Sequence, residues 1–189
     1  MRIDELLVVE LKTSIERGDG HSFEKIAEKL GDLLLEEGEF PSGLFVEILN
    51  LIRREGFCLL ENTWYLVKVF EENVEFLSED QKKSLFASFQ KMILLLEDST
   101  ACFLVVEMLA ELFPDERALE VLVLLEKDYG NKNRALIPHG FQRLAKICSN
   151  SEVGKDALDR LDKMRSDADI TVQKNASYEF STLMPTCRR

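Results

Sequence analysis

The chain has 189 residues, enough for one compact domain or one short repeat array, and 46% of them are hydrophobic, which suffices for a buried core. Its 24 basic and 35 acidic residues leave a formal net charge of −11, which argues against nucleic acid and anionic membrane surfaces as direct partners, because both require a basic face. Acids at positions 4 and 5 break the apolar stretch that a secretory signal needs, and no apolar run reaches the roughly 18 to 20 residues of a membrane span, so a soluble cytoplasmic protein is expected.

Helical periodicity runs from end to end, and the breaks in it predict ten helices. The first covers 2–17 and stops at Gly18-Asp19-Gly20; the second, 22–37, takes Ser22 as its N-cap. A loop over 38–43 leads to a third helix over 42–55. A fourth is expected over 59–77 and a fifth over 79–97, the latter opened by Ser78 with Gln81 three residues on, the spacing of a capping box. Asp98-Ser99-Thr100 starts the sixth, 99–113. Pro114-Asp115 turns into 115–129, which Tyr129-Gly130-Asn131 ends with a glycine suited to the left-handed conformation. The eighth, 132–149, contains Pro138 and therefore either kinks there or begins later. Ser151 and Asp167 are the cap candidates for 152–166 and 169–184.

Helices of about 13 to 19 residues joined by very short turns form antiparallel hairpins, and their pairing gives five hairpins of about 35 to 40 residues. The expected fold is therefore all-α, an α-α superhelix of about five antiparallel hairpins. The run from Val105 to Leu122, VVEMLAELFPDERALEVL, resembles the junction of two HEAT-like repeats: an alanine-bearing inner helix ending in leucine, a short acidic turn, then the pattern ALxxL. Asp169 to Ala176 resembles the start of that family's inner helix, an acidic cap followed by valine and alanine at helical spacing. The resemblance holds over about 99–184, with 1–98 reading as divergent repeats and 185–189 as a tail. It implies one HEAT-like solenoid over 1–189, and it brings no catalytic residues with it. It also implies that 22–37, 59–77, 99–113, 132–149 and 169–184 are inner helices lining a concave face.

Signals for chemistry are absent. There is no GxxxxGK[ST], GxGxxG, GxSxG or HExxH pattern. Cys58, Cys102, Cys148 and Cys187 lie too far apart for a zinc-ligand pair and read as free thiols, the first three buried in helices. The two histidines, His21 and His139, have no glutamate three residues before them, so a di-iron bundle is excluded. No enzyme activity, cofactor or metal is expected.

Charge is unevenly spread. Residues 61–128 hold 15 acidic and 6 basic side chains, whereas 132–174 hold 6 acidic and 9 basic. A segmental field of this kind steers an oppositely charged partner, or serves only to solvate the chain. On the expected inner helices the candidate binding residues are Trp64, Lys68, Glu71 and Glu75, then Phe103, Glu107 and Glu111, then His139 and Arg143. Trp64, the sole tryptophan, is either an anchor on that surface or a core residue. The function expected is a non-catalytic protein–protein interaction module that binds a partner, a basic protein suiting its charge, through an acidic concave or edge surface. A bacterial immunity-type inhibitor of a basic toxin is one alternative; a HEAT-like nucleic-acid-binding or lyase-type protein is another.

Overall fold

The computed structural model describes residues 3–183; the expected tail 185–189, with Cys187, lies outside them. These residues form eleven α-helices and no strand. In chain order they are α1 (Ile3–Arg17), α2 (Gly20–Glu37), α3 (Ser42–Ile52), α4 (Glu55–Cys58), α5 (Trp64–Glu72), α6 (Glu79–Met92), α7 (Ser99–Leu112), α8 (Glu116–Lys127), α9 (Ile137–Ile147), α10 (Glu152–Met164) and α11 (Ile170–Leu183). Short 3-10 turns, Val74–Phe76 and Arg134–Leu136, follow α5 and precede α9. No described helix is long and apolar enough to cross a membrane. The chain divides into two compact units, 1–105 and 106–189, with the boundary inside α7.

In the first unit α2 packs on α1 and on α5, and α3 packs on α1 and on α6. The core is aromatic. Phe70 of α5 stacks on Phe40, with ring centroids 5.6 Å apart and planes 8° from parallel. It meets Phe45 of α3 and Phe89 of α6 edge-on at 6.0 and 6.2 Å. A second edge-on pair, Phe23 with Phe57, ties α2 to α4. Phe23, Phe57, Phe70 and Phe89 are fully buried. Each such ring contributes about 1.5–3 kcal/mol from burial, with about 1 kcal/mol more from edge-on geometry.

In the second unit α9 packs on α8, α10 and α11, and α10 packs on α11. Ile137, Phe141 and Leu144 of α9 recur at helical spacing and are fully buried, as are Ala157 and Leu161 of α10 and Val172 and Ala176 of α11. Gly140 allows a close approach, because a Cβ there would stand 2.6 Å from Leu122 Cδ2 and 2.7 Å from Val106 Cγ1.

Several expected caps are present. Ser78 and Gln81 form the full capping box of α6. Asp98 accepts the N–H groups of Thr100 and Ala101 at 2.9 and 3.1 Å, Asp115 that of Arg117 at 2.9 Å, and Ser151 that of Gly154 at 3.2 Å. Others differ. Asp19, and not Ser22, caps α2: its carboxylate accepts both the Ser22 N–H at 3.0 Å and the Ser22 hydroxyl at 2.6 Å. Asp169 caps α11 by accepting the Thr171 N–H at 2.8 Å, which leaves Asp167 free to pair with Arg134. Gly130 is not left-handed; α8 stops at Lys127, and the left-handed glycines are Gly18 and Gly38.

The helix expected over 59–77 is broken. Asn62 has a φ of +64°, a left-handed conformation that asparagine tolerates and that ends right-handed winding. Residues 59–63 thereby form a loop between α4 and α5. The helix expected over 79–97 ends at Met92, and the following turn brings the Glu97 N–H onto the Cys58 carbonyl at 2.9 Å. Of the two readings of Pro138 the later start is the observed one. α9 begins at Ile137, so the proline sits in the first turn, where its missing N–H has no helical acceptor to lose.

Candidate functional site

The loop 59–63 places a cleft of about 450 Å³ in front of the first turn of α5, lined by Leu59, Leu60, Glu61, Asn62, Trp64 and residues 97–100. Trp64 is half-buried, and its ring lies against that of Tyr65, with centroids 3.8 Å apart and planes tilted by 31°. One part of the indole is therefore supported by protein and another is open. Leu59 is 61% exposed at the edge.

Carboxylates surround this aromatic pair. Glu61 and Glu97 are exposed, and Asp98 is half-buried. Asp98 does two jobs: besides capping α7 it accepts the Trp64 N–H and the Thr63 hydroxyl, each at 3.4 Å. Behind Tyr65, Glu24 accepts the phenol hydroxyl, and this bond, with the negative charges of Glu24 and Glu28, holds the tyrosine pKa above its ordinary value. Glu24 also accepts the Asn62 side-chain N–H at 3.2 Å, which fixes the loop to α2. No lysine or arginine lines the cleft. A field of one sign beside an open indole face suits a cation, which gains both Coulomb attraction and contact with the ring quadrupole.

Of the residues singled out in the sequence, Trp64 is in this cleft. Lys68, one turn further along α5, pairs with Glu72 at 3.2 Å. Glu71 is half-buried on the same helix, Glu75 is exposed in the 3-10 turn, and Phe103 is half-buried on α7. Glu97 and Glu24 carry no special sequence signal, and Asp98 reads only as a cap. The expected continuous helix hides the loop that brings them together with Trp64.

The remaining candidates, Glu107, Glu111, His139 and Arg143, belong to the second unit, where Glu111 meets Arg143 and His139 meets Glu179. Glu107 is half-buried on α7. Glu111 forms an ion pair with Arg143 of α9, its own side chain only 15% exposed. His139 of α9 meets Glu179 of α11, Nδ1 to Oε1, at 2.9 Å, with side chains 15% and 10% exposed. Burial holds the His139 imidazole below its ordinary value although Glu179 pulls the other way. One helical turn along α9, Gln142 donates to the Thr182 hydroxyl at 3.1 Å. The polar face of α9 is thus a set of ties to its neighbours.

Cys58 and Cys102 are buried and Cys148 is half-buried. Among the described residues no three His, Cys, Asp or Glu side chains gather in a way that could hold a metal ion. Compared with protein-family models, curated proteins and solved structures, the chain has no match in any of the three.

Proposed function

We propose that the chain is a non-catalytic binding module, each unit a short HEAT-like stack of helical hairpins, and that its first unit grips a basic segment of a partner protein at the Trp64 cleft. The observation that carries the reading is the cleft itself: a supported but open indole ringed by Glu61, Glu97 and Asp98, with no cation in its lining. A lysine or arginine laid on that indole would gain about 0.5–2 kcal/mol from the ring and further attraction from the acids.

The stack is supported by the sequence interval of the side-chain bonds. Asn62 to Glu24 spans 38 residues, Thr63 to Asp98 spans 35, Arg53 to Ser88 spans 35, Arg134 to Asp167 spans 33 and Gln142 to Thr182 spans 40. These intervals, 33 to 40 residues, lie close to the length expected of one hairpin, as bonds between neighbouring repeats would. That is the nearest-neighbour pattern of helical repeat proteins.

Because Trp64 is the only tryptophan, intrinsic fluorescence reports this site alone. Titration with an arginine- and lysine-rich peptide is expected to shift Trp64 emission saturably, with an affinity that falls as salt rises. A glutamate-rich peptide of equal length should leave it unchanged. Glu61→Lys with Glu97→Lys should weaken the basic peptide by tenfold or more. Emission that ignores the basic peptide, or answers both peptides alike, would refute the reading.

A further inference from the structure

The same unit carries a second cleft of opposite character. It encloses about 360 Å³ between the end of α3, α4 and α6. Its floor is apolar: Ile52, Cys58 and Met92, each 4% exposed or less. Ala87 and Leu95 stand at its rim, Leu95 being 57% exposed. The polar lining is Arg53, Ser88 and Lys91, and no carboxylate is present.

Arg53 is held in place. Its Nε donates to the Ser88 hydroxyl at 2.9 Å, and that hydroxyl donates to the Ser84 carbonyl at 2.8 Å. Ser88 is 5% exposed, so a buried polar group fixes an exposed guanidinium. The bond uses one of the five N–H donors, and the other four, on the two terminal nitrogens, stay available for an anion. Lys91 is exposed one turn of α6 further on. Lys12, Arg54, Lys68 and Lys83, four of the seven other exposed cations described in this unit, sit against a glutamate or aspartate. In an acidic chain, two cations set over an apolar floor with no acid between them form a site for negative charge joined to an apolar body.

We propose that this cleft binds a small amphiphilic anion, a carboxylate on an aliphatic body. The head sits on Arg53 and Lys91, and the body lies over Ile52, Cys58 and Met92. At about 30 Å³ for each water-sized group the volume holds roughly a dozen non-hydrogen atoms, which limits the body to a short chain. The site is independent of the basic-partner reading, since neither Glu61 nor Glu97 lines it.

Octanoate and its neutral isostere octanamide test this by calorimetric titration of the full chain. The natural protein should bind one octanoate saturably and octanamide at least tenfold more weakly. Arg53→Gln with Lys91→Gln should remove that preference and leave the two ligands equal. Ala87→Trp, a change at an exposed rim position, should block both. The Glu61→Lys, Glu97→Lys variant should bind octanoate unchanged, so failure of either site is read separately. Absence of saturable octanoate binding, equal affinity for octanamide in the natural protein, or binding that survives Ala87→Trp would each overturn the proposal.

Discussion

Arg134 and Asp167 meet fork to fork, both terminal guanidinium nitrogens on both carboxylate oxygens, with Nη1 to Oδ1 at 3.0 Å. The arginine makes two further ties: Nε donates to the Glu126 carbonyl at 2.6 Å, and the guanidinium lies 4.4 Å from the centre of the Tyr129 ring. One side chain thus joins the end of α8, the turn before α9 and the turn before α11.

Removing either partner leaves the other desolvated. Arg134→Met or Asp167→Asn is expected to lower the stability of the chain by about 2 kcal/mol, more than most surface changes. The two together should cost less than the sum of the single losses, which urea denaturation of the four proteins checks. Arg134 also holds the Asp167 carboxyl below its usual range. The stabilisation is therefore complete above the unfolded value of about 4 and is lost as pH falls through the lower folded value.

His139 adds a second loss of stability on acidification, nearer neutrality. Burial keeps its folded imidazole below the ordinary value of 6.5. As pH falls through about 6.5 the unfolded chain takes up a proton that the folded chain resists, so stability drops on acidification and is constant above neutrality. Thermal melts between pH 7.5 and 5 should show this slope, and His139→Gln should flatten it. Equal slopes in the two proteins would assign the effect elsewhere.

Gly154 is a backbone contact point, not a spare helix position. A Cβ there would overlap the Cys148 carbonyl and stand 2.6 Å from its carbon. Alanine usually gains about 1 kcal/mol over glycine inside a helix. Here Gly154→Ala is expected to lose about 2–3 kcal/mol, because the turn between α9 and α10 must open. Gly140→Ala should cost less, since its contacts are side-chain methyls of Leu122 and Val106. Guanidinium denaturation of both variants orders the two.

Gly20 links α2 to the Trp64 cleft. Its Cβ would lie 2.8 Å from the Glu61 carbonyl oxygen. Gly20→Ala is expected to displace the loop that carries Leu59 and Glu61, altering Trp64 emission and weakening the basic peptide several-fold, while global stability changes by about 1 kcal/mol or less. An unaltered emission spectrum would show that the loop does not rest on this glycine.

The helical class and most of the helix starts are legible in the sequence because both depend on local rules. Ser78 with Gln81, Asp98, Asp115 and Ser151 each satisfy an N–H within three residues, and no distant contact is needed to decide them. The loop at 59–63 is not legible, because the apolar spacing carries through it and the break rests on one backbone angle at Asn62. The candidate site fails in the same place. Trp64 is recognisable as an aromatic in an acidic stretch, but Glu24 and Glu97 reach its cleft through tertiary contacts 30 to 40 residues away. Conversely, Glu111 and His139 read as open surface because nothing near them in sequence announces Arg143 or Glu179.

The hairpin-length interval of the side-chain bonds has a kinetic consequence. Contacts such as Asn62 with Glu24 or Arg134 with Asp167 close loops of only 33 to 38 residues, and doubling such a loop adds only about 0.6 kcal/mol of closure entropy. Pairings this local lower the contact order and favour fast folding. They also let α1, α2 and α5 find their partners while later helices are still being synthesised, so the Trp64 cleft takes shape once the chain through Asp98 has emerged.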